Sequence, residues 1–416
     1  MNEHSANLEA EPVFPVMPPA QPTTTPDFTL REIAVFGSIM ATILLSANAF
    51  VCATWSYFFD LPGWITWQAL PGTLSVSFIL ATILRFRSTH PAVTIVYALS
   101  SAWLGVLNFS FFAAVGCWIV EGVCWLAGWS VPPFVLASIL FSLAFLATIY
   151  GLINARWIRV SRVTVRLPHL PKVWQGRTAA LVTDLHLGPL LRAGFLRRVI
   201  ARLRSLKPDV VFISGDLFDG STLGIDQLVA PWREYSTPRG IYYVTGNHDE
   251  FADRSIFLDA VKHAGIQILN NEKIFLDGLQ IVGIHDSEAG NLIELRAILR
   301  QAQIDRQHPS ILLSHRPVNL SVVEEEGISL QLSGHTHGGQ FWPWNLLVSR
   351  VYGRFASGLS RLNKLQVYTS NGVGTWGPPL RVGTKSEIVL MQFENETDEN
   401  SPESPSSDKL DSKPNT

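Results

Sequence analysis

Four long runs without a charged side chain follow one another early in the chain, at 33–59, 61–84, 91–120 and 122–155. A helix needs about 20 apolar residues to cross the hydrocarbon core of a bilayer, and each run is long enough. None carries the polar face that a helix packed on a soluble core would show. The pattern therefore predicts four transmembrane helices within 31–155. The second run is the shortest in effect, because Pro71-Gly72 reads as a turn that confines its helix to about Thr73–Leu84, short, tilted or re-entrant. Asp60 and Glu121, between runs, read as loop residues. Trp55, Trp64, Trp67, Trp118, Trp125 and Trp129 lie near the expected helix ends, where interfacial aromatics gather.

After a basic stretch, 156–175, the pattern changes. From Arg177 short apolar runs alternate with amphipathic ones: TAALVT at 178–183, a helix-spaced segment at Phe195–Leu206, then DVVFIS at 209–214 and GIYYVT at 240–245. Strand-like runs recur at 280–284, 311–314 and 328–333. Strands alternating with helices predict an α/β domain over 176–393. The first thirty residues are rich in proline and threonine, and 394–416 carry no aromatic, so both ends are expected to be disordered.

Composition narrows the chemistry. The formal net charge is −2 and no basic or aromatic nucleic-acid module is appended, so no nucleic acid is expected as partner. The three cysteines, Cys52, Cys117 and Cys124, offer neither a disulfide framework nor a thiolate zinc site. In the short links, Arg85 and Arg87 follow the second run, and Arg156, Arg159, Arg162, Arg166 and Lys172 follow the fourth. Positive loops stay in the cytoplasm, which predicts both chain ends and the α/β domain on that side.

The informative residues lie at the strand ends. Five successive strands each end in Asp, Asn or His: Asp184 with His186, Asp216, Asn247, His315, and His335 with His337. Ligands in open α/β sheets gather outside such strand ends. Carboxylate, imidazole and amide oxygen suit divalent ions such as Mn²⁺, Fe²⁺ or Zn²⁺. Seven side chains exceed one tetrahedral site, and suit two ions about 3.5–4 Å apart with one carboxylate shared. His169, His263, His285 and His308 fall outside these blocks and read as surface or packing histidines. Asp286 is a turn residue or a cleft residue, and Arg197, Arg198, Arg204 and Lys207 form a solvated basic face that could touch anionic lipid.

The order Asp184-x-His186, Gly215-Asp216-x-x-Asp219, Gly246-Asn247-His248-Asp249, His315 and Gly334-His335-x-His337 resembles the full signature of the calcineurin-like metallophosphoesterases, over about 176–393. The wording SHRP, GHTHGGQ and NGVGTWGPPLR is similar to a membrane-associated branch of that family. The resemblance implies a sandwich of two mixed β-sheets flanked by helices. It implies that Asp184, His186 and His337 hold one metal, that Asn247, His315 and His335 hold the other, and that Asp216 bridges. It further implies His248 as general acid with Asp249 orienting it, Asp219 behind the ligands, and a metal-bridging hydroxide as nucleophile. The expected protein is a membrane-anchored phosphoesterase, a phosphodiesterase by preference, acting on phosphate esters that include phospholipid or lipid-linked ones. The alternatives are a metal-binding interaction scaffold, against which no ligand is missing, and a nuclease.

Overall fold

The computed structural model describes residues 30–61, 69–85, 88–221, 224–250 and 254–396. The leader, most of the tail, Trp64, Trp67 and Arg87 fall outside these residues.

The N-terminal half is a helical bundle of α1 (Leu30–Phe58), α2 (Ala69–Arg85), α3 (Pro91–Ala127) and α4 (Pro133–Arg156). Among the described residues, three helices, Ala34–Phe58, Pro91–Ala127 and Pro133–Arg156, are long and apolar enough to cross a membrane, while α2 has 17 residues. Pro71-Gly72 does not turn the chain. It sits in the first turn of α2, where a missing proline N–H costs nothing. Glu121 is not in a loop either: α3 continues through it for 37 residues, and stops where Gly128 takes a left-handed φ of 69° as C-cap. Asp60 lies in a turn after α1, as expected. Within the bundle, Asn48 Nδ2 and Trp103 Nε1 both donate to Ser75 Oγ, at 2.6 and 3.2 Å.

The C-terminal half stacks helices, sheet, sheet and helices. Among the described residues twelve strands build it: β1 (Arg159–Leu167), β2 (Thr178–Val182), β3 (Val210–Ser214), β4 (Ile241–Val244), β5 (Gln267–Ile268), β6 (Glu272–Leu276), β7 (Leu279–Gly283), β8 (Ser310–Leu313), β9 (Leu330–Ser333), β10 (Gly358–Leu362), β11 (Leu365–Thr369) and β12 (Glu387–Asn395). One mixed sheet has the order β1-β12-β2-β3-β4-β5 and the other β10-β11-β9-β8-β7-β6. Strand alternation divides each strand between two cores. In β3, Val210 and Phe212 enter the layer between the sheets, while Val211 and Ile213 meet α5 (Ala193–Leu206) through Leu196, Val199 and Leu203. On the opposite side α6 (Leu292–Gln301) and α7 (Leu320–Glu325) cover β7, β8 and β11.

The basic segment 156–175 is not a free linker. Its alternation of Val163, Val165 and Leu167 with Arg162, Thr164 and Arg166 makes it β1, paired in parallel with β12 from Arg159↔Glu387 to Leu167↔Asn395. The α/β unit thus begins directly after α4.

The two halves are packed together. Leu380 inserts where Gly105 of α3 and Gly151 of α4 face it, and any Cβ at Gly105 would overlap its side chain. Arg381 N–H donates to the Gly151 carbonyl at 3.0 Å. Asn154 Nδ2 donates to the carbonyls of Arg381 and Thr384 at 2.9 and 3.0 Å.

Candidate metal centre

The strand ends of β2, β3 and β4 in one sheet meet those of β8 and β9 in the other. All seven sequence-predicted ligand residues are brought together in this seam. Asp184, His186, Asp216, His315 and His337 are buried, and the ligand atoms of Asp184/His186/His337 and of Asp216/His315/His335 each lie within 4.8 Å of one another. His315 Nε2 stands 3.1 Å from Asp216 Oδ2, and His186 Nε2 stands 3.7 Å from the same oxygen. Asp216 therefore faces both groups. His337 Nε2 is 3.5 Å from Asp184 Oδ1, and Asn247 Oδ1 is 2.9 Å from His335 Nδ1.

Backbone conformation aims these side chains. Asp184, His186, Asp216, His335 and His337 all have left-handed φ, between 46° and 70°. Non-glycine residues pay about 1–3 kcal/mol for such positions, and these cluster at functional sites. The neighbouring glycines give the room: a Cβ at Gly246 would strike the Asp216 carboxylate, and one at Gly334 the carboxylate of Asp184.

Burial sets the protonation states. It lowers the pKa of His186 and His337 well below the usual range, and brings His335 to about 3, so these imidazoles are neutral and free to act as ligands. Burial alone would also depress His315, but the Asp216 carboxylate beside it lifts it to about 10. Burial raises Asp184 to about 6. For Asp216 the burial effect is outweighed by His315, which holds the carboxylate well below its ordinary value.

The donor set fits divalent ions. Two neutral imidazole nitrogens, His186 Nε2 and His337 Nε2, lie 3.1 Å apart with stacked rings. Two lone pairs turned on one point repel unless a cation or a proton lies between them. Supporting bonds fix the rings, since His315 Nδ1–H donates to the Ser214 carbonyl at 2.9 Å.

Two expectations change in detail. Asp249 was expected to orient His248. Its buried carboxylate instead accepts from the backbone N–H of Phe218 and Gly246, both at 2.9 Å, and of Leu217 at 3.3 Å. It thereby ties the β3 and β4 loops together. His248 is held through its own N–H, which donates to Asp216 Oδ1 at 2.9 Å, with its ring 4.8 Å from that of His186. Asp286 is committed to Arg316, which it meets at 2.8 Å, and His285 is buried as a helix cap, the packing alternative of the expectation. His169, His263 and His308 are exposed.

Asp219 stands behind His186, with Oδ1 at 3.9 Å from its Nδ1. Sequence reasoning missed two partners of this shell. Arg381 is fully buried, donates to the carbonyls of Asn371 and Gly374 at 2.7 Å, and lies 3.2 Å from His337 Nδ1. Arg85, from the end of α2, pairs with Asp219. The NGVGTWGPPLR wording flagged the first region, whereas Arg85 carried only the signal of a basic loop. A cavity of about 590 Å³, lined by Asn154, Asn345 and Asn371 among others, opens behind Gly338, and none of the seven ligands lines it.

Residues 178–339 match the sequence model of the family described as calcineurin-like phosphoesterase. An uncharacterized metallophosphoesterase of Campylobacter jejuni is 34% identical over 251 residues, 59% of this chain and 66% of that one. A transmembrane protein with metallophosphoesterase domain from Danio rerio is 34% identical over 259 residues, 58% of this chain and 59% of that one. A solved dimetal phosphatase from Danio rerio aligns at 14% identity and a TM-score of 0.36, covering 48% of this chain and 88% of that one. The α/β half of the chain is thus a calcineurin-like metallophosphoesterase domain. The chain spans just under two thirds of the length of the curated relatives named here.

Proposed function

We infer that the protein is a membrane-anchored, dinuclear-metal phosphoesterase that hydrolyses phosphate esters, with diesters preferred and lipid or lipid-linked esters among its substrates. The carrying observation is two adjacent ligand groups, Asp184/His186/His337 and Asp216/His315/His335, with ligand atoms within 4.8 Å in each and Asp216 Oδ2 3.7 Å from His186 Nε2. Asp184, His186 and His337 would hold one divalent ion, Asn247, His315 and His335 the other, with Asp216 common to both. Such ions, when bound, polarise phosphoryl oxygens and acidify water at neutral pH. The protein's own groups do the rest. His248, placed by its backbone bond to Asp216, gives a proton to the leaving oxygen. Trp376 is exposed next to His248, with its ring 5.9 Å from that of the histidine. The apolar helices support membrane anchoring, and the charge bias of 156–172 supports a cytoplasmic domain.

The test uses the full-length protein in lipid nanodiscs, with Mn²⁺, Fe²⁺ or Zn²⁺ supplied in turn. Turnover is measured on a nitrophenyl phosphate monoester, a bis-nitrophenyl diester and a phospholipid, alongside metal analysis. Loss of all turnover on chelation and its return with metal is expected. A metal-loaded protein inert to every ester would point to the scaffold reading.

A further inference from the structure

The helix α8 (Trp344–Tyr352) has no buried residue. Trp344, Leu347 and Val351 are spaced three and four apart and so share one stripe. They are 47%, 54% and 68% exposed, and Leu346 is 61% exposed. Trp342, two residues before the helix, is also exposed. The side carrying Asn345, Val348 and Tyr352 turns to the protein, where Asn345 backs onto Gly339. An apolar stripe of this density on a domain surface marks an interaction site.

Its place in the fold says what covers it. Asn108 of α3 accepts from Trp344 Nε1 at 3.1 Å and donates to the Trp342 carbonyl at 3.1 Å, and Phe112 packs edge-on against Trp342. The helix therefore begins on the bundle itself. Asn108 is close to the midpoint of α3, which runs from Pro91 to Ala127. At 1.5 Å per residue it is about 25 Å from one end and about 28 Å from the other. A hydrocarbon slab of about 30 Å laid along this helix at either limit includes or borders that level. The apolar stripe, the tryptophans and the flanking Arg350 and Arg354 have the composition of a helix lying in a membrane interface.

We propose that α8 lies in the plane of the bilayer, with Trp344, Leu347 and Val351 in the lipid, and that it seats the phosphoesterase site on the membrane surface. Its other end reaches the metal centre, for the Tyr352 ring is 6.4 Å from that of His335. Resting on the phosphoesterase reading above, this places a phosphate ester carried by a lipid within the plane from which the site is reached. A water-soluble ester gains nothing from the helix.

The test separates the two statements. Leu347→Cys is spin-labelled in full-length protein in phosphatidylcholine–phosphatidylglycerol nanodiscs; the three native cysteines are buried, and unsubstituted protein is the control. The label should collide freely with oxygen and be shielded from a water-soluble nickel chelate. Free access by the nickel chelate overturns the proposal, as does shielding from both reagents, which would mean a second copy or another protein on the stripe. This readout stands whether or not the protein is an enzyme. Leu347→Glu with Val351→Glu should then slow hydrolysis of a vesicle-borne phospholipid at least tenfold. The same variant should keep hydrolysis of the bis-nitrophenyl diester within twofold. Equal loss on both substrates with a folded protein would overturn the seating role.

Discussion

Arg85, the last residue of α2, and Asp219, behind His186, form an ion pair buried between the two halves of the molecule. Arg85 also donates from Nη2 to the Asp219 carbonyl at 3.0 Å. Asp219 is itself raised by burial, against which the guanidinium acts. The end of a bundle helix is therefore part of the support of the metal site. The positive charge expected to lie in a free loop is spent on this contact.

Removing one member of a buried pair leaves the other uncompensated, at a cost of about 3–5 kcal/mol. Arg85→Ala should lower the melting temperature by several degrees and reduce metal retained by the His186 group, with Arg85→Lys recovering part of both. Differential scanning fluorimetry with metal analysis reads this. An Arg85→Ala protein with unchanged melting and metal content would reduce the pair to a passive contact.

Asp216 faces both ligand groups, so Asp216→Asn should release metal from both and abolish turnover. His337→Ala should weaken mainly the group with Asp184 and His186. Metal analysis of wild-type protein should find up to two ions per chain, and a fully loaded preparation with one would refute the dinuclear assignment.

On the proposed reading His248 serves proton transfer, although its ring nitrogen lies within 4.8 Å of the ligand atoms of His186 and Asp216. His248→Asn should retain metal and lose about 10²–10⁴-fold in turnover. The loss should shrink on nitrophenyl esters, whose leaving oxygen needs little protonation. An equal loss on poor and good leaving groups would count against His248 as the acid.

Burial, with the Asp216 carboxylate nearby, raises Asp249 to about 7 against the backbone N–H groups of Gly246 and Phe218. A carboxyl raised in the folded state favours folding below its unfolded value, and that contribution is lost as pH rises through about 7. Chelated protein should therefore melt at lower temperature at pH 8 than at pH 5.5. Asp249→Asn should flatten that slope, and a variant that keeps the full slope would assign it to another group.

The orientation is tested independently of activity. A reporter fused after Asn395 should be active only when cytoplasmic. Protease digestion of the α/β domain in intact cells, with a known cytoplasmic protein left untouched, would place the domain on the opposite face.

The chain's one-dimensional pattern was enough for two kinds of statement. Charge-free runs of membrane length declare themselves, because hydropathy is a local sum. The strand-end ligands are also legible: a period-two apolar run followed by Asp, Asn or His defines both the strand and where its last side chain must emerge. What failed was read from residues whose role depends on a distant partner. Segment 156–175 looked like a juxtamembrane linker until β12, more than 200 residues later, paired with it. Pro71 and Glu121 looked like helix ends, because local propensity cannot see the packing that carries a helix through them. The left-handed backbone at five site residues belongs to the folded α/β half, and the Leu380 insertion at Gly105 and Gly151 and the Arg85–Asp219 pair arise only when the two halves are packed together. Side-chain type fixed the chemistry of the site, while tertiary packing decided which groups support it and on which surface it opens.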